Sequence, residues 1–263
     1  MPRYFIKLSY NGGRYNGWQI QKNTAVTIQQ VLNESVSKVL AEQIEFTGCG
    51  RTDTGVHASC FYAHFDSAKE SLHTCQTDWV YKFNSILPND IIVSDIFKVM
   101  PTANSRFDAV QRTYQYWITT ERNPFLANTA FYVHENLDID LMNEACKKLL
   151  LTKDFNCFCK SGANSATTFC NVTDAKWVKK EITNQPFASG HFLVFEITAD
   201  RFLRNMVRAI VGTLLDVGKR KTSVEQFEKI LKSKNRSNAG VSVPAHALYL
   251  SSVIYPENIF VNE

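Results

Sequence analysis

Apolar positions along the chain switch repeatedly between a period of two and a period near 3.6. Residues 3–10, RYFIKLSY, alternate apolar and polar side chains and read as a strand. After Thr27 the spacing changes. Ile28, Val31, Leu32, Val39 and Leu40 share one helical face, and Thr27 with Gln30 forms a capping box at the start. Residues 44–47 read as a short strand, 48–55 as a glycine-punctuated loop, 60–65 as a strand and 78–87 as a helix ending before Pro88. Segments 91–99 and 110–119 are rich in β-branched and aromatic residues and read as strands. Asp138 caps a helix running to about residue 151, with Leu141, Met142, Ala145 and Leu149 inward, and residues 172–182 and 191–199 pair as a hairpin. The clearest helix follows. Leu203, Met206, Val207, Ile210, Val211, Leu214 and Leu215 step by three and four, and Gly218 stops it. Ser223 and Gln226 open another capped helix, and residues 247–255 close the chain as a strand.

This order predicts an α+β fold in two related halves, with helices packed on a mixed, largely antiparallel sheet. The boundary falls near Asp108. Residues 1–107 then form a half that carries the glycine loop, and residues 108–263 a half that carries most of the basic clusters. No repeat, low-complexity segment or flexible linker interrupts the pattern.

Composition narrows the class. Of the 263 residues 44% are apolar and 21% charged, enough for a sizeable core and against a disordered chain. Met1-Pro2-Arg3 leads straight into the first strand without the charged and apolar tracts of a signal peptide, and no apolar run reaches membrane-spanning length. A cytoplasmic protein with no membrane partner is expected. Seven scattered cysteines make a poor disulfide framework. Cys157, Cys159 and Cys170 cluster without zinc-ligand spacing or a fourth ligand, so no metal is expected and free thiols are. The net charge of +4 names no ligand by itself. Its distribution says more: Arg201, Arg204 and Arg208 at helical spacing, then Lys219 to Lys221, then Lys229, Lys232, Lys234 and Arg236, form a surface able to neutralise phosphates collectively. A solvated helix face would look the same in any one of these clusters.

Chemistry concentrates in residues 48–58, where glycines bracket Arg51 and Asp53. A carboxylate on such a loop is placed to meet a ligand. It is equally the composition of an Asx-type turn, in which Asp and Thr bond their own backbone. Asp53-Thr54-Gly55 also matches the tripeptide of aspartic proteases, but it occurs once, and Arg51 beside it favours an ionised carboxylate over a shared proton.

The run GRTDTGVHA at 50–58 resembles the signature of the tRNA pseudouridine synthase A family. Four more segments resemble that family in the same order: GRYNGWQIQ at 13–21, RTYQY at 112–116, FLRNMVR at 202–208 followed by Val211-Gly212, and PAHALYL at 244–250. The resemblance covers nearly the whole chain. Thr54 departs from the Ala more usual there. The resemblance implies isomerisation of uridine to pseudouridine at positions 38, 39 and 40 of the tRNA anticodon arm, with the active-site cleft between the halves. It implies Asp53 as the catalytic carboxylate, Arg208 pairing with it, Tyr114 stacking on the extruded base, and Arg51 entering the RNA stem. It further implies a homodimer acting on RNA and not on DNA. No cofactor is expected, because the reaction breaks N1–C1′ and joins C5 to C1′ without redox change or a group donor. A non-catalytic RNA-binding protein on the same scaffold is the alternative.

Overall fold

The computed structural model describes residues 1–22, 25–73, 78–160, 162, 167–183 and 189–261. Among them are nine strands and five α-helices in an α+β arrangement, and the chain divides into two compact units. The first comprises Met1–Arg112 with Leu250–Glu263, the second Thr113–Tyr249.

In the first unit the alternation of residues 3–10 produces strand β1 (Arg3–Tyr10). It lies between β3 (His57–Asp66) and β4 (Ile91–Val99), antiparallel to both, so that Phe5 faces His64 on one side and Phe97 on the other. A two-residue strand, β2 (Thr47–Gly48), adds to β3. The last strand, β9 (Leu248–Ile254), starts in the second unit and continues in the first beside β3. Helix α1 (Ile28–Leu40) buries Ile28, Leu32, Val36 and Leu40, one residue per turn, while Val31 and Val39 are half-buried at the edge of that stripe. Its predicted capping box is only half present. Thr27 accepts from the Gln30 amide at 3.3 Å, but the Gln30 side chain donates forward to Glu34 at 2.9 Å. The strand expected at 44–47 shrinks to β2, because Ile44 and Phe46 amides are taken by the side chains Ser37 Oγ and Asn33 Oδ1 of α1. Helix α2 (Trp79–Asn84) is capped by Asp78 and is shorter than its sequence suggests.

In the second unit β5 (Gln111–Thr119), which begins at the end of the first, neighbours β8 (Gly190–Ala199). In turn β8 pairs antiparallel with β7 (Val172–Ile182) as the predicted hairpin. A short strand, β6 (Phe131–Tyr132), runs parallel to β5 and makes the arrangement mixed. Helices α3 (Ile139–Leu150), α4 (Met206–Gly218) and α5 (Val224–Ser233) accompany these strands. Asp138 caps α3, and Ser223 with Gln226 makes a complete reciprocal box on α5. All of α4 is buried except Arg208 and Asp216, which are half-buried, so this helix is the centre of the unit's core.

Two readings of α4 are corrected by the structure. The helix starts at Met206 and not at Leu203, because Asn205 sits at φ 67 in the left-handed region, which Asn tolerates better than most residues. Arg201 and Arg204 therefore precede the helix and do not share a face with Arg208. Nor does Gly218 terminate α4 through its own conformation. It is the last helical residue, and a Cβ there would stand 2.4 Å from Met142 Sδ on α3, so the glycine leaves room for the Met142 side chain. The left-handed residue comes two positions later, at Arg220 (φ 57).

Candidate active site

The loop between β2 and β3 is fixed from three directions. The Val56 amide donates to the Asp53 carbonyl at 3.1 Å and closes a tight turn through Gly55, whose φ of 80 favours a residue without Cβ. Segment 10–18 lies along the same turn. Trp18 N donates to Thr52 O at 3.2 Å, Gly55 N to Tyr15 O at 3.4 Å, and Gly12 N to His57 Nδ1 at 3.0 Å. Tyr10 and Thr52 share a buried hydroxyl–hydroxyl bond of 2.8 Å. The approach is closer than any side chain would allow. A Cβ on Gly12 would fall 1.9 Å from Val56 O, and one on Gly17 would fall 2.2 Å from Thr52 O. Beneath, Trp18 stacks on Phe61 of β3 at 4.2 Å, and a Cβ on Gly48 would meet its indole at 2.5 Å.

Arg112 secures the entry to the loop. Its Nη2 donates to Cys49 O at 2.9 Å and to Arg106 O at 2.6 Å, and Nη1 donates to Ala109 O at 3.1 Å. Cys49 itself is buried, and burial pushes its thiol up to about 12, which makes it an inert packing group. His57 is 2% exposed and its Nδ1 accepts from the Gly12 amide, so it braces the loop.

Of the predicted site residues, Arg51 and Asp53 occupy this loop in the first unit. Asp53 is half-buried. Arg51 is exposed, and its side chain makes no hydrogen bond or ion pair among the described residues. Tyr114 and Arg208 lie in the second unit. Tyr114 is half-buried on β5 and meets Phe202 edge-on at 5.0 Å. Two residues on, Tyr116 is fully buried, donates its hydroxyl to Pro244 O at 3.0 Å, and has its ionisation pushed far up by burial. Its phenol is committed to structure, whereas the Tyr114 ring retains open surface.

Arg208 is one of two polar breaks in buried α4. Its Nε donates to Val243 O at 2.7 Å, and its own carbonyl accepts from the Val243 amide at 3.2 Å. The extended segment 240–244 thus runs against the helix. Gly212 permits it, since a Cβ there would stand 1.8 Å from Val241 O. Asn205 Nδ2 and Arg236 Nη2 both reach Ser242 Oγ, at 2.6 and 2.9 Å. With Nε used on the backbone, the terminal nitrogens of Arg208 are the part of the guanidinium left to recognise an anion.

Cys157, Cys159 and Cys170 are buried, and burial raises all three thiols, Cys157 and Cys170 to about 12. Six cysteines are free and Cys75 lies outside the described residues. Among the described residues no group of three His, Cys, Asp or Glu is placed to hold a metal ion. No described helix is long and apolar enough to cross a membrane. The sequence reading missed the supports of the loop. Gly12 and Gly17 had a signal, two glycines flanking buried aromatics. The Arg112 clamp had none, since an arginine on a strand announces nothing about which carbonyls it will reach.

The family model described as tRNA pseudouridine synthase matches residues 145–256. A tRNA pseudouridine synthase A from Bacteroides fragilis is 45% identical over 260 residues, covering 99% of each chain. One from Porphyromonas gingivalis is 43% identical over 99% of this chain and 100% of its own. One from Francisella philomiragia is 38% identical over 99% and 96%. End-to-end identity at this level, on a chain whose signature loop, strand and buried helix segments fold as described, places the protein in the tRNA pseudouridine synthase A family.

Proposed function

We propose that this protein isomerises uridine to pseudouridine at positions 38, 39 and 40 of the tRNA anticodon arm, with Asp53 as the catalytic carboxylate. Full-length similarity to tRNA pseudouridine synthases A supports the reaction and the RNA class. The observation that carries Asp53 is the bracing of its loop by backbone and side-chain contacts from segment 10–18, which approaches the loop too closely for a Cβ on Gly12 or Gly17. Such rigidity is what a carboxylate needs to meet a sugar or base carbon in a fixed geometry. Arg51 is assigned to the RNA, in accord with an exposed cation that has no protein partner among the described residues. Tyr114 is assigned to stacking on the displaced uracil, which needs a flat apolar surface, and Arg208 to an anionic group in the reaction. The cytoplasm is the compartment and a homodimer the working form.

The test uses tRNA tritiated at C5 of its uridines. C5 loses its hydrogen only when it becomes the attachment carbon. Wild-type protein releases tritium from anticodon-arm positions, and Asp53→Asn binds the same tRNA while release falls at least about a thousandfold. Release by Asp53→Asn at the wild-type rate removes Asp53 from the chemistry. Tight binding without release by the wild type leaves an RNA-binding module.

A further inference from the structure

An aromatic side chain stands out from the first unit beside the signature loop. Phe107 is 77% exposed. Exposure alone carries nothing, since single apolar residues are common on surfaces. Three further features separate Phe107 from that background.

The first is that its turn is held rigidly on both sides. Ser105, two residues before Phe107, is completely buried and uses every backbone and side-chain polar group. Its amide donates to His64 Nδ1 at 3.1 Å, its hydroxyl to Thr47 O at 2.7 Å, and its carbonyl accepts from Tyr255 Oη at 2.6 Å. Burial lowers His64 to about 4, so the ring is neutral and stays an acceptor at physiological pH. Within the turn, Asn104 Oδ1 accepts from the amides of Arg106 and Phe107 at 2.9 and 3.2 Å, and Asp108 Oδ2 accepts from Asn104 N at 2.7 Å. The ring is therefore presented at little further cost in entropy, as a binding anchor should be.

The second is its connection to the candidate active site. A single nitrogen, Arg112 Nη2, bonds both Arg106 O and Cys49 O. The Phe107 turn and the start of the loop bearing Arg51 and Asp53 are thus fixed to one guanidinium. The third is charge. The Arg106 guanidinium lies 5.5 Å from the Phe107 centroid, and Arg51 is exposed two residues beyond Cys49. An exposed aromatic face beside a cation matches a ligand that is flat, apolar on its faces and polyanionic along its backbone.

We infer that Phe107 is a stacking platform for an unpaired nucleobase of the substrate RNA, with Arg106 contributing to the adjoining phosphate. The inference rests on the proposed tRNA reading and adds to it a binding residue outside the signature loop. Phe107 holds the RNA and takes no part in bond making. The experiment measures kcat and KM for C5-tritium release from a tRNA transcript with Phe107→Ala, Phe107→Leu and Phe107→Trp, alongside sedimentation of each. Base stacking predicts a KM raised about tenfold or more in Ala and Leu, near wild-type KM in Trp, and kcat within about twofold throughout. Full retention of KM in Phe107→Ala overturns the platform. Rescue by Leu as good as by Trp also overturns it, because it marks a merely apolar contact. A shift in sedimentation with unchanged KM overturns it in favour of a protein partner. If the wild type releases no tritium from any tRNA, the proposed function fails instead, and that outcome is distinct from all of these.

Discussion

Tyr114 and Tyr116 stand two apart on β5 and show how differently burial treats two similar side chains on one strand. Tyr116 has no exposed surface, and its hydroxyl is the partner of Pro244 O. Replacing it with Phe removes the hydroxyl donor from the part-buried Pro244 carbonyl. Tyr116→Phe is expected to lose about 1–2 kcal/mol in denaturant unfolding, with kcat/KM reduced only as far as folding is. Tyr114→Phe should show the opposite pattern. Its ring contact with Phe202 survives, stability stays within about 0.5 kcal/mol, and tritium release slows if the hydroxyl takes up the C5 proton. Wild-type turnover in Tyr114→Phe would leave the ring a stacking role and nothing more. The sequence made both tyrosines visible as members of one motif. It did not separate them, because alternation along a strand gives i and i+2 the same face and depth is decided by what the rest of the unit lays over each one.

Elements constrain the site through backbone approach more than through side-chain contact. Segment 12–17 rests on the 52–56 turn only because Gly12 and Gly17 lack a Cβ, and Gly17 also holds φ 77. Gly50, in the same loop, has open space where its Cβ would stand. Gly17→Ala should therefore displace Thr52 and the adjoining Asp53, lowering kcat by at least about tenfold, since displacements near 1 Å cost about two orders of magnitude. Gly50→Ala should leave kcat within about twofold. Wild-type kcat in Gly17→Ala, measured by single-turnover tritium release, would mean the loop tolerates the shift and its bracing is incidental. This kind of constraint is the part of the fold least legible in sequence. Period-two and period-3.6 patterns located β1, β4, the β7–β8 hairpin, α1, α3 and α5 closely, the helices because each buries one regular face and the strands because their runs of β-branched and aromatic residues are bounded by polar loops. They failed at α4. Apolar spacing from Leu203 continued a helix that Asn205 had not yet begun, and the glycine at 218 answered Met142 on another helix, a contact that no local pattern encodes.

At the scale of the whole molecule, the net charge of +4 is less informative than how its cations are spent. Around the C-terminal basic clusters, Lys219 binds Glu135 at 2.6 Å, Arg220 binds Asp138 at 2.8 Å, Lys232 binds Glu228 at 2.6 Å and Lys234 binds Asp154 at 3.0 Å. Glu228 is held to about 2 by Lys232 and Lys148, so its carboxylate stays ionised through any working pH. Lys221 and Lys229 differ. Neither has an ion pair among the described residues, and together with Thr222, Gln226 and Asn238 they line a shallow hollow of about 340 Å³. A phosphate meeting Lys219 or Lys232 must compete with a carboxylate already in place, while one meeting Lys221 or Lys229 displaces only water and counterions. The two pairs can be compared at equal charge. Lys221→Gln/Lys229→Gln and Lys219→Gln/Lys232→Gln each remove two positive charges from the same protein. If tRNA senses only overall potential, both variants flatten the dependence of log Kd on log salt alike. If it senses particular cations, the first flattens the slope by about 1.5–2 and the second by well under 1. Equal slopes would return the basic surface to a diffuse field. Unequal slopes in the predicted order would show that the intramolecular ion pairs decide which lysines the RNA backbone can use.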